Sequence, residues 1–328
     1  MAEPSLDIVA MGDAIVDVIA GCDDRFLFEH GLPKGSMQLL TPAEADDLYS
    51  AMGMAQEMSG GSAANSMAGV AAMGGKAAFV GQIAEDQLGL IFEHDMHALG
   101  VRFDTPPLVG GPPTGRCLIL VTPDAQRTMN TCPGASHELS PAVLDRDLIA
   151  SASILYLEGY LWGPDKPRAA MMEAVKVAHT AGRKVAFTLS ESVCIAGRRE
   201  GFAQMIDSRG VDLLFANEDE ALQLTGRTDL DAALDELKAK VPTLVVTKGP
   251  RGAIAIENGN RIDIPAAPVN EVIDTTGAGD LFAAGFLTAR CKGATLERCL
   301  WTGAIAAGEV IQHYGARPMT DLKSLVQL

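Results

Sequence analysis

Residues 274–286, DTTGAGDLFAAGF, place two glycines where the apolar pattern that follows predicts the start of a helix. Gly277 and Gly279 allow positive φ and leave the backbone N–H groups of residues 277–280 unobstructed. Free amides at a helix N-terminus, together with the positive end of the helix dipole, form an anion-binding site. Asp280 lies in the first turn of the same helix, close to any anion bound there.

Asp280 has two interpretations. A carboxylate beside a resting phosphate is unfavourable, but it is useful if it accepts the proton of a hydroxyl group that attacks the phosphate. Equally, Asp is common in a first helical turn, where it stabilises the helix dipole. Residue spacing excludes two other glycine motifs. A dinucleotide fingerprint needs glycine at position 282, which is Phe282. A P-loop ending at GGK needs glycine at position 70 and Ser or Thr at position 77, which are Val70 and Ala77.

A second glycine-rich helix entrance lies at residues 59–75, SGGSAANSMAGVAAMGG. Gly60 and Gly61 permit close backbone approach, and the side-chain amide of Asn65 can both donate to and accept from sugar hydroxyl groups. The alternative is that small residues let this helix pack tightly on a sheet. That explains the later Ala and Gly residues better than it explains GGS and Asn65.

Carboxylates also lie near the end of the first predicted strand. Asp13 and Asp17 follow LDIVAMG, at the edge where ligands of open α/β sheets gather. A carboxylate accepts hydrogen bonds from vicinal hydroxyl groups, so the pair suits polyol recognition. Solvated turn acids are the alternative.

Three further polar groups suit a nucleotide. Asn217 and Glu220 lie three residues apart at a predicted helix start and can order water around Mg²⁺, although an N-cap with a first-turn Glu is an equally simple explanation. Thr247 and Gly249 end a strand, in VVTKGPRGA, and suit nucleotide contact or a hairpin turn. Arg127 lies in another predicted strand and can reach a phosphate or stay exposed without a role.

The fold follows from alternating patterns along the chain. Apolar runs LDIVAMG, AAFVGQI, ASILYLEGY, KVAFTLS, VDLLFAN and PTLVVTKG predict strands, and segments of helical period separate them. This order predicts a parallel sheet with helices on both faces. Two segments, at about residues 16–40 and 101–131, contain strand-like pieces without helices and predict a small antiparallel lid. With no linker or repeat, residues 1–328 are expected to form a single domain.

Composition limits the partners. The 328 residues, 48% hydrophobic with 34 glycines, can bury a large globular core. A net charge of −16 opposes binding to nucleic acid or anionic membranes, so ATP would need local amides, basic side chains and a divalent metal. Six scattered cysteines without metal spacing predict reduced thiols. No signal-like N-terminus and no run of ~18 apolar residues is present, so we expect a cytoplasmic protein.

In combination, GGSAANSMAGVAAMGGKAAFVGQIAEDQLG, NEDE, VTKGPRGA and DTTGAGDLFAAGF resemble the ribokinase-like (PfkB) family of sugar and nucleoside kinases. The resemblance covers about residues 5–318. It implies a three-layer α/β/α sandwich with a small β-sheet lid, Mg²⁺ with ATP as phosphoryl donor, and a sugar hydroxymethyl group as acceptor.

The resemblance also implies residue roles. Asp280 matches the general base, and the amides of Gly277, Ala278 and Gly279 match the anion hole. The family's sugar-binding positions correspond to Asp13, Asp17, Gly60, Gly61 and Asn65. Arg127 matches a lid arginine that lies near the transferred phosphate. Asn217 and Glu220 match the NxxE motif that supports Mg²⁺ and phosphate, and nucleotide contacts correspond to Asn217, Thr247, Gly249, Gly277 and Gly279. Asp274 and Thr276 match positions where some members bind a monovalent cation such as K⁺.

The acceptor is predicted less directly. MGDAIVDVIA resembles the adenosine kinase branch, and Tyr160 and Trp162 in YLEGYLW follow a strand where that branch places an aromatic ring against the base. Stacking of this kind contributes ~1–3 kcal/mol per contact. However, Asp13 replaces the usual Asn of the eukaryotic enzymes, and both aromatic side chains can instead fill a core.

We therefore expect phosphorylation of the 5′-hydroxyl of a nucleoside, converting adenosine to AMP. A free-sugar kinase acting on ribose or fructose is the alternative, and a catalytically silent nucleoside-binding regulator is a remote one. The sequence leaves open whether the protein is a monomer or a homodimer.

Overall fold

The computed structural model describes residues 3–124 and 126–327. Its strands are β1 (Leu6–Met11), β2 (Ile15–Gly21), β3 (Met37–Leu39), β4 (Ala55–Gly60), β5 (Ala77–Val80), β6 (Arg102–Phe103), β7 (Gly115–Val121), β8 (Arg127–Cys132), β9 (Ala152–Glu158), β10 (Lys184–Thr188), β11 (Leu213–Asn217), β12 (Thr243–Thr247), β13 (Ala253–Glu257) and β14 (Asn260–Ile264). Its helices are α1 (Asp24–Glu29), α2 (Pro42–Ala51), α3 (Ser62–Ala72), α4 (Gln87–Ala98), α5 (Arg146–Ser151), α6 (Asp165–Thr180), α7 (Ser192–Ile195), α8 (Arg199–Asp207), α9 (Glu218–Thr225), α10 (Leu230–Lys238), α11 (Ala278–Cys291), α12 (Leu296–Val310) and α13 (Leu322–Val326). Within these described ranges, no helix is both long and apolar enough to cross a lipid bilayer.

A nine-stranded main sheet forms the middle layer, in the order β14-β13-β12-β11-β10-β9-β1-β5-β6. The strands from β12 to β6 in this order run parallel to one another, and β13 and β14 form an antiparallel hairpin at one edge. All six strands predicted from apolar runs lie in this sheet. The predicted mostly parallel α/β fold is confirmed.

Helices cover both faces of the main sheet, and β1 shows why. Ile8 and Ala10 belong to one apolar core with side chains of α3, α11 and α12, whereas Val9 and Met11 belong to a second core with side chains of α6, α8, α9 and α10. Successive side chains of a strand point to opposite faces, so an uninterrupted apolar strand requires a cover on each side. Each fully buried aliphatic side chain contributes roughly 1.5–3 kcal/mol.

A second sheet, which we call the small sheet, has the order β3-β8-β7-β2-β4. Val18 and Leu118 pack with Leu27 of α1 and Leu48 of α2 in the same apolar core as Ile8. The small sheet is mixed, because β2 pairs with β7 and β3 pairs with β8 in parallel. It was expected to be antiparallel, and this detail of the prediction is wrong.

The boundaries of the small sheet also differ from the two segments predicted. Arg102–Phe103 (β6), within the predicted segment 101–131, pairs with β5 and extends the main sheet. Ala55–Gly60 (β4), outside both predicted segments, pairs with β2 at the edge of the small sheet. The sequence of β4, AQEMSG, has one large apolar residue and therefore lacks the alternation by which a strand is recognised.

Candidate active site

The turn before α11 is shaped by two glycines with different surroundings. Gly277 has φ of 78°, and a Cβ there would lie 2.6 Å from the Cβ of Ala316, so only glycine fits. A Cβ on Gly279 would meet no atom of the described residues within 4 Å, so this side of the turn is open. No side chain in the described part of the chain caps the helix, although the amide of Ala278 donates to the carbonyl oxygen of Thr275 at 3.2 Å.

Asp280 is held by α3 across the site. Ser62 Oγ donates to its Oδ1 at 2.6 Å, and Asn65 Nδ2 donates to its Oδ2 at 3.0 Å. Burial raises the pKa of Asp280, while these two hydrogen bonds and the positive charge of Arg317 oppose the rise. Each carboxylate oxygen keeps a further lone pair, so Asp280 can still accept a proton from a bound hydroxyl group.

The glycines before α3 bring this helix close to the small sheet and β1. A Cβ on Gly60 would lie 2.4 Å from Oδ1 of Asp17, and a Cβ on Gly61 would lie 2.2 Å from the carbonyl oxygen of Asp13. Gly61 also has φ of 92°, which side chains disfavour. Both positions therefore require glycine, because the segments that carry Asp17 and Asp13 leave no room for a side chain. Burial raises the pKa of Asp17 to about 6, and Arg317 and Arg127 oppose this.

Asp13 lies beside a buried glutamate. Glu158, at the end of β9, is fully buried and accepts the amides of Asp13 and Ala63, both at 2.6 Å. Burial raises the pKa of Glu158 well above its ordinary value and that of Asp13 to about 7. Asp13 Oδ1 is buried and receives no hydrogen bond from the described residues. This oxygen can bind a donor on a ligand.

Arg127 connects the small sheet to the approach to α11. Its Nη1 donates to Asp274 Oδ2 at 2.6 Å and to Thr276 Oγ1 at 2.8 Å. Asp274 also accepts from the amide and hydroxyl of Thr276 and from the amide of Gly315. A carboxylate has about four acceptor sites, so those of Asp274 are used and its charge is balanced. In this arrangement Asp274 and Thr276 do not fit a monovalent cation.

The predicted nucleotide residues meet at the carboxyl ends of β11 and β12. Asn217 and Glu220 form a reciprocal cap: Asn217 accepts the Glu220 amide at 2.8 Å, and Glu220 accepts the Asn217 amide at 2.9 Å. Thr247 lies directly opposite Asn217 in the parallel pairing, and Gly249 begins the following 3₁₀ turn with φ of 56°. Burial raises the pKa of Glu220 to about 7.

These residues do not form a dedicated metal cage. Among the described residues there is no group of three His, Cys, Asp or Glu side chains that could hold a metal ion. Mg²⁺ usually keeps several water molecules and binds one or two carboxylates together with substrate phosphates. The Asn217–Glu220 pair therefore fits a hydrated ion carried by a nucleotide.

The two predicted base-stacking aromatics differ in burial. Trp162 is 3% exposed and packs edge-on against Phe187, with ring centroids 5.9 Å apart, inside the second apolar core. Trp162 therefore fills the core, which is the alternative that the sequence left open, and the 3₁₀ turn Tyr160–Trp162 directs side chains two residues apart to different sides. Tyr160 is partly buried against the edge of the same core, and its pKa is raised well above the ordinary value by burial and by the charges of Glu191, Asp280 and others.

Three residues around Asp280 were not identified from the sequence. Ser62 stood within the quoted GGS segment. Glu158 ends an apolar strand at the sheet edge where ligands gather, and that position was a usable signal. Arg317, in the loop after α12, donates to the carbonyl oxygens of Ser59 and Ala64. No local pattern marks it.

Comparison with known proteins assigns the family. A family model described as pfkB family carbohydrate kinase matches residues 38–322. Ribokinase of Arabidopsis thaliana is 30% identical over 301 residues, which cover 88% of this chain and 76% of that protein. The solved structure of adenosine kinase from Sinorhizobium meliloti is 46% identical, with a TM-score of 0.91 and 98% of each chain covered. A probable sugar kinase from Rhizobium etli CFN 42 is 44% identical, with a TM-score of 0.92, 99% of this chain and 98% of that chain covered. The chain therefore belongs to the pfkB family of carbohydrate kinases.

Proposed function

We propose that this kinase transfers the terminal phosphoryl group of ATP to the 5′-hydroxyl group of a nucleoside, with adenosine as the preferred acceptor. The observation that carries the phosphotransfer is Asp280, a carboxylate fixed on both oxygens beside an uncapped helix start. The choice of adenosine is supported by 46% identity to an adenosine kinase over 98% of the chain, and Tyr160 is the residue that we assign to the base.

The acceptor sugar would bind between the small sheet and α3. Asp17 has a raised pKa and lies against Gly60, and Asp13 offers a buried oxygen without a donor. Both suit hydroxyl donors, and Asn65 adds an amide. The 5′-hydroxyl group would then lie against Asp280, which accepts its proton as the oxygen attacks phosphorus.

Charge on the moving phosphoryl group would be stabilised by the N-terminus of α11. The open space beside Gly279 allows an anion to approach the helix amides, which are preorganised donors. Arg127, which bonds Thr276 at the same turn while paired with Asp274, would donate to the phosphoryl group from its other N–H groups. Mg²⁺ bound with the nucleotide would neutralise phosphate charge, and the pair Asn217 and Glu220 would orient its water molecules.

A substrate panel tests the proposal. Initial rates of ADP release would be measured over a range of concentrations of adenosine, inosine, guanosine, cytidine, ribose and fructose, at fixed ATP and Mg²⁺. We expect the highest kcat/KM with adenosine. A higher kcat/KM with ribose or fructose would replace the proposal with a free-sugar kinase, which the likeness to ribokinase and to a sugar kinase supports. Nucleoside binding without ADP release would indicate a binding protein without turnover.

Two aromatic variants sharpen the assignment. Tyr160→Leu should raise KM for adenosine by ~5–100-fold, because a stacking contact contributes ~1–3 kcal/mol. Trp162→Phe is the matched control two residues away, since Trp162 lies in the core. It should lower the melting temperature and leave KM unchanged. An unchanged KM in Tyr160→Leu would remove Tyr160 from the acceptor site.

A further inference from the structure

Arg317 lies in the loop between α12 and α13 and joins this loop to two distant segments. Nη1 donates to the carbonyl oxygen of Ala64 at 2.8 Å. Nη2 donates to the carbonyl oxygen of Ser59 at 2.8 Å and to its hydroxyl oxygen at 3.1 Å. The guanidinium group therefore connects the end of β4 to the first turn of α3 through charge-assisted hydrogen bonds.

The loop that carries Arg317 is itself fixed on both sides. Asp274 accepts the amide of Gly315 at 2.9 Å, and Glu309 accepts the amides of Met319 and Thr320, both at 2.9 Å. The loop also packs against Gly277, since a Cβ there would collide with Ala316. Arg317 is therefore held in place by the same turn that begins α11.

The turn of α3 that Arg317 grips is the one that holds Asp280. Ser62 and Asn65 bond the two carboxylate oxygens of Asp280, and Ala64, which Arg317 bonds, lies between them in the chain. A shift of this turn would move both donors at once. Misplacement by about 1 Å is enough to cost ~10²-fold in rate.

The charge of Arg317 acts on the same carboxylate. Burial lowers the pKa of Arg317 to about 10, so it is positive at neutral pH, and its charge opposes the rise that burial causes in the pKa of Asp280. Titratable and charged groups that face Asp280 come from several elements: Asp17 of β2, Tyr156 and Glu158 of β9, Tyr160 of the 3₁₀ turn, and Arg317. Arg317 is the cation in this set.

We propose that Arg317 is a positioning residue for Asp280: it fixes the first turn of α3, whose Ser62 and Asn65 bond the carboxylate, and brings a positive charge near it. The inference rests on the proposed function, in which Asp280 accepts the proton of the acceptor hydroxyl. It predicts two separable effects, one on the geometry of the site and one on the pH at which the base becomes active.

The test compares Arg317→Gln and Arg317→Lys by the pH dependence of kcat. Arg317→Gln should lower kcat at pH 7 by ~10–100-fold, because charge-assisted hydrogen bonds are lost. It should also move the acid-side midpoint of the kcat–pH profile upward, because a positive charge that opposes the rise in the pKa of Asp280 is removed. Arg317→Lys keeps the charge, so its midpoint should stay near that of the wild type. Its kcat should fall, because an ammonium group cannot reproduce the two-pronged contact.

Arg116→Gln is the matched control. Arg116 is also a buried arginine, 7% exposed, but it pairs with Asp46 and bonds the carbonyl oxygen of Pro42 on the α2 side of the small sheet. It should lower thermal stability and leave the acid-side midpoint unchanged. A similar midpoint shift in this variant would show that the effect of Arg317 is general destabilisation and would overturn the proposal.

Other outcomes are decisive as well. A folded Arg317→Gln variant with wild-type kcat and midpoint overturns the proposal. Should this variant fail to fold, wild-type kcat and KM in Arg317→Lys would overturn it. If no acceptor is turned over, the midpoint is read by carbon-13 NMR of the Asp280 carboxyl group, assigned with Asp280→Asn. The proposed function fails if Asp280→Asn keeps its turnover, and only the role of Arg317 fails if Asp280→Asn is inactive and Arg317→Gln shows no shift.

Discussion

Two helix N-termini, those of α9 and α11, carry a carboxylate at the same third position but use it in opposite ways. In α9, Glu220 bonds back to the amide of the N-cap Asn217, and Asn217 bonds the amide of Glu220. In α11, the N-cap is Gly277, which has no side chain, and Asp280 is held by Ser62 and Asn65 of another helix. At the start of α9, the two residues therefore bond each other's backbone amides. At the start of α11, the backbone amides stay free to bind an anion, and the carboxylate contacts a different helix.

The largest expected difference between the two starts is catalytic. Asp280→Asn should lower kcat by ~10²–10⁴-fold, because an amide cannot accept the proton of the acceptor hydroxyl. Glu220→Gln, the same change at the equivalent position of α9, should lower kcat by less than about 10-fold, since Gln also serves in a capping box. Both rates are measured by ADP release at saturating acceptor. Near wild-type turnover in a folded Asp280→Asn variant would remove Asp280 as the base.

The comparison also shows what local sequence predicts and what it does not. NEDE predicted both an N-cap and a magnesium role for Asn217 and Glu220, and the cap is present in the structure. Asp280 is held by Asn65 and Ser62, which lie 215 and 218 positions earlier in the chain, so no local sequence pattern contains these contacts. Only the combination of two glycine motifs brought these segments into one hypothesis.

The fold was easier to predict than the site for the same reason. Apolar runs identify strands such as β1 because burial on both faces is a local requirement on composition. The strand β4 has no such pattern and is specified by its pairing with β2. Arg317 was missed because a single arginine after a helix carries no periodic signal, and its partners Ser59 and Ala64 lie more than 250 positions away.

The second prediction separates the two glycines that open α11. Gly279→Val places its side chain in open space, so the fold should be retained while KM for ATP rises by ~10–100-fold through the loss of anion contacts. Gly277→Ala, the paired variant, forces a side chain into a left-handed residue and against Ala316, so it should lower the melting temperature by roughly 2–6 °C. Unchanged ATP kinetics in a stable Gly279→Val variant would mean that no anion binds this turn.

The third prediction concerns the segment that leads into α11. The acceptor sites of Asp274 are filled by Thr276, Gly315 and Arg127, so a monovalent cation has no free carboxylate oxygen there. Replacing K⁺ by tetramethylammonium at constant ionic strength should therefore change kcat by less than about twofold. Sodium serves as the second comparison, to exclude an effect specific to the organic ion. Strong activation by K⁺ would mean that Arg127 leaves Asp274 in the working enzyme.

The smallest effect is expected at the self-capped helix and concerns stability. Burial raises the pKa of Glu220 from its ordinary 4.5 to about 7 in the folded protein, so between these values the folded state holds a proton that the unfolded state has released. Its contribution to the free energy of unfolding is therefore full below pH 4.5 and is lost as the pH rises through 7. Glu220→Gln should flatten the fall in melting temperature over this range, leaving the part due to Asp13 and Asp17, whose pKa values are also raised by burial. Asp47→Asn, an exposed change in α2, should leave the slope unchanged. Equal slopes in all three proteins would show that Glu220 is already ionised at the acid end of the range.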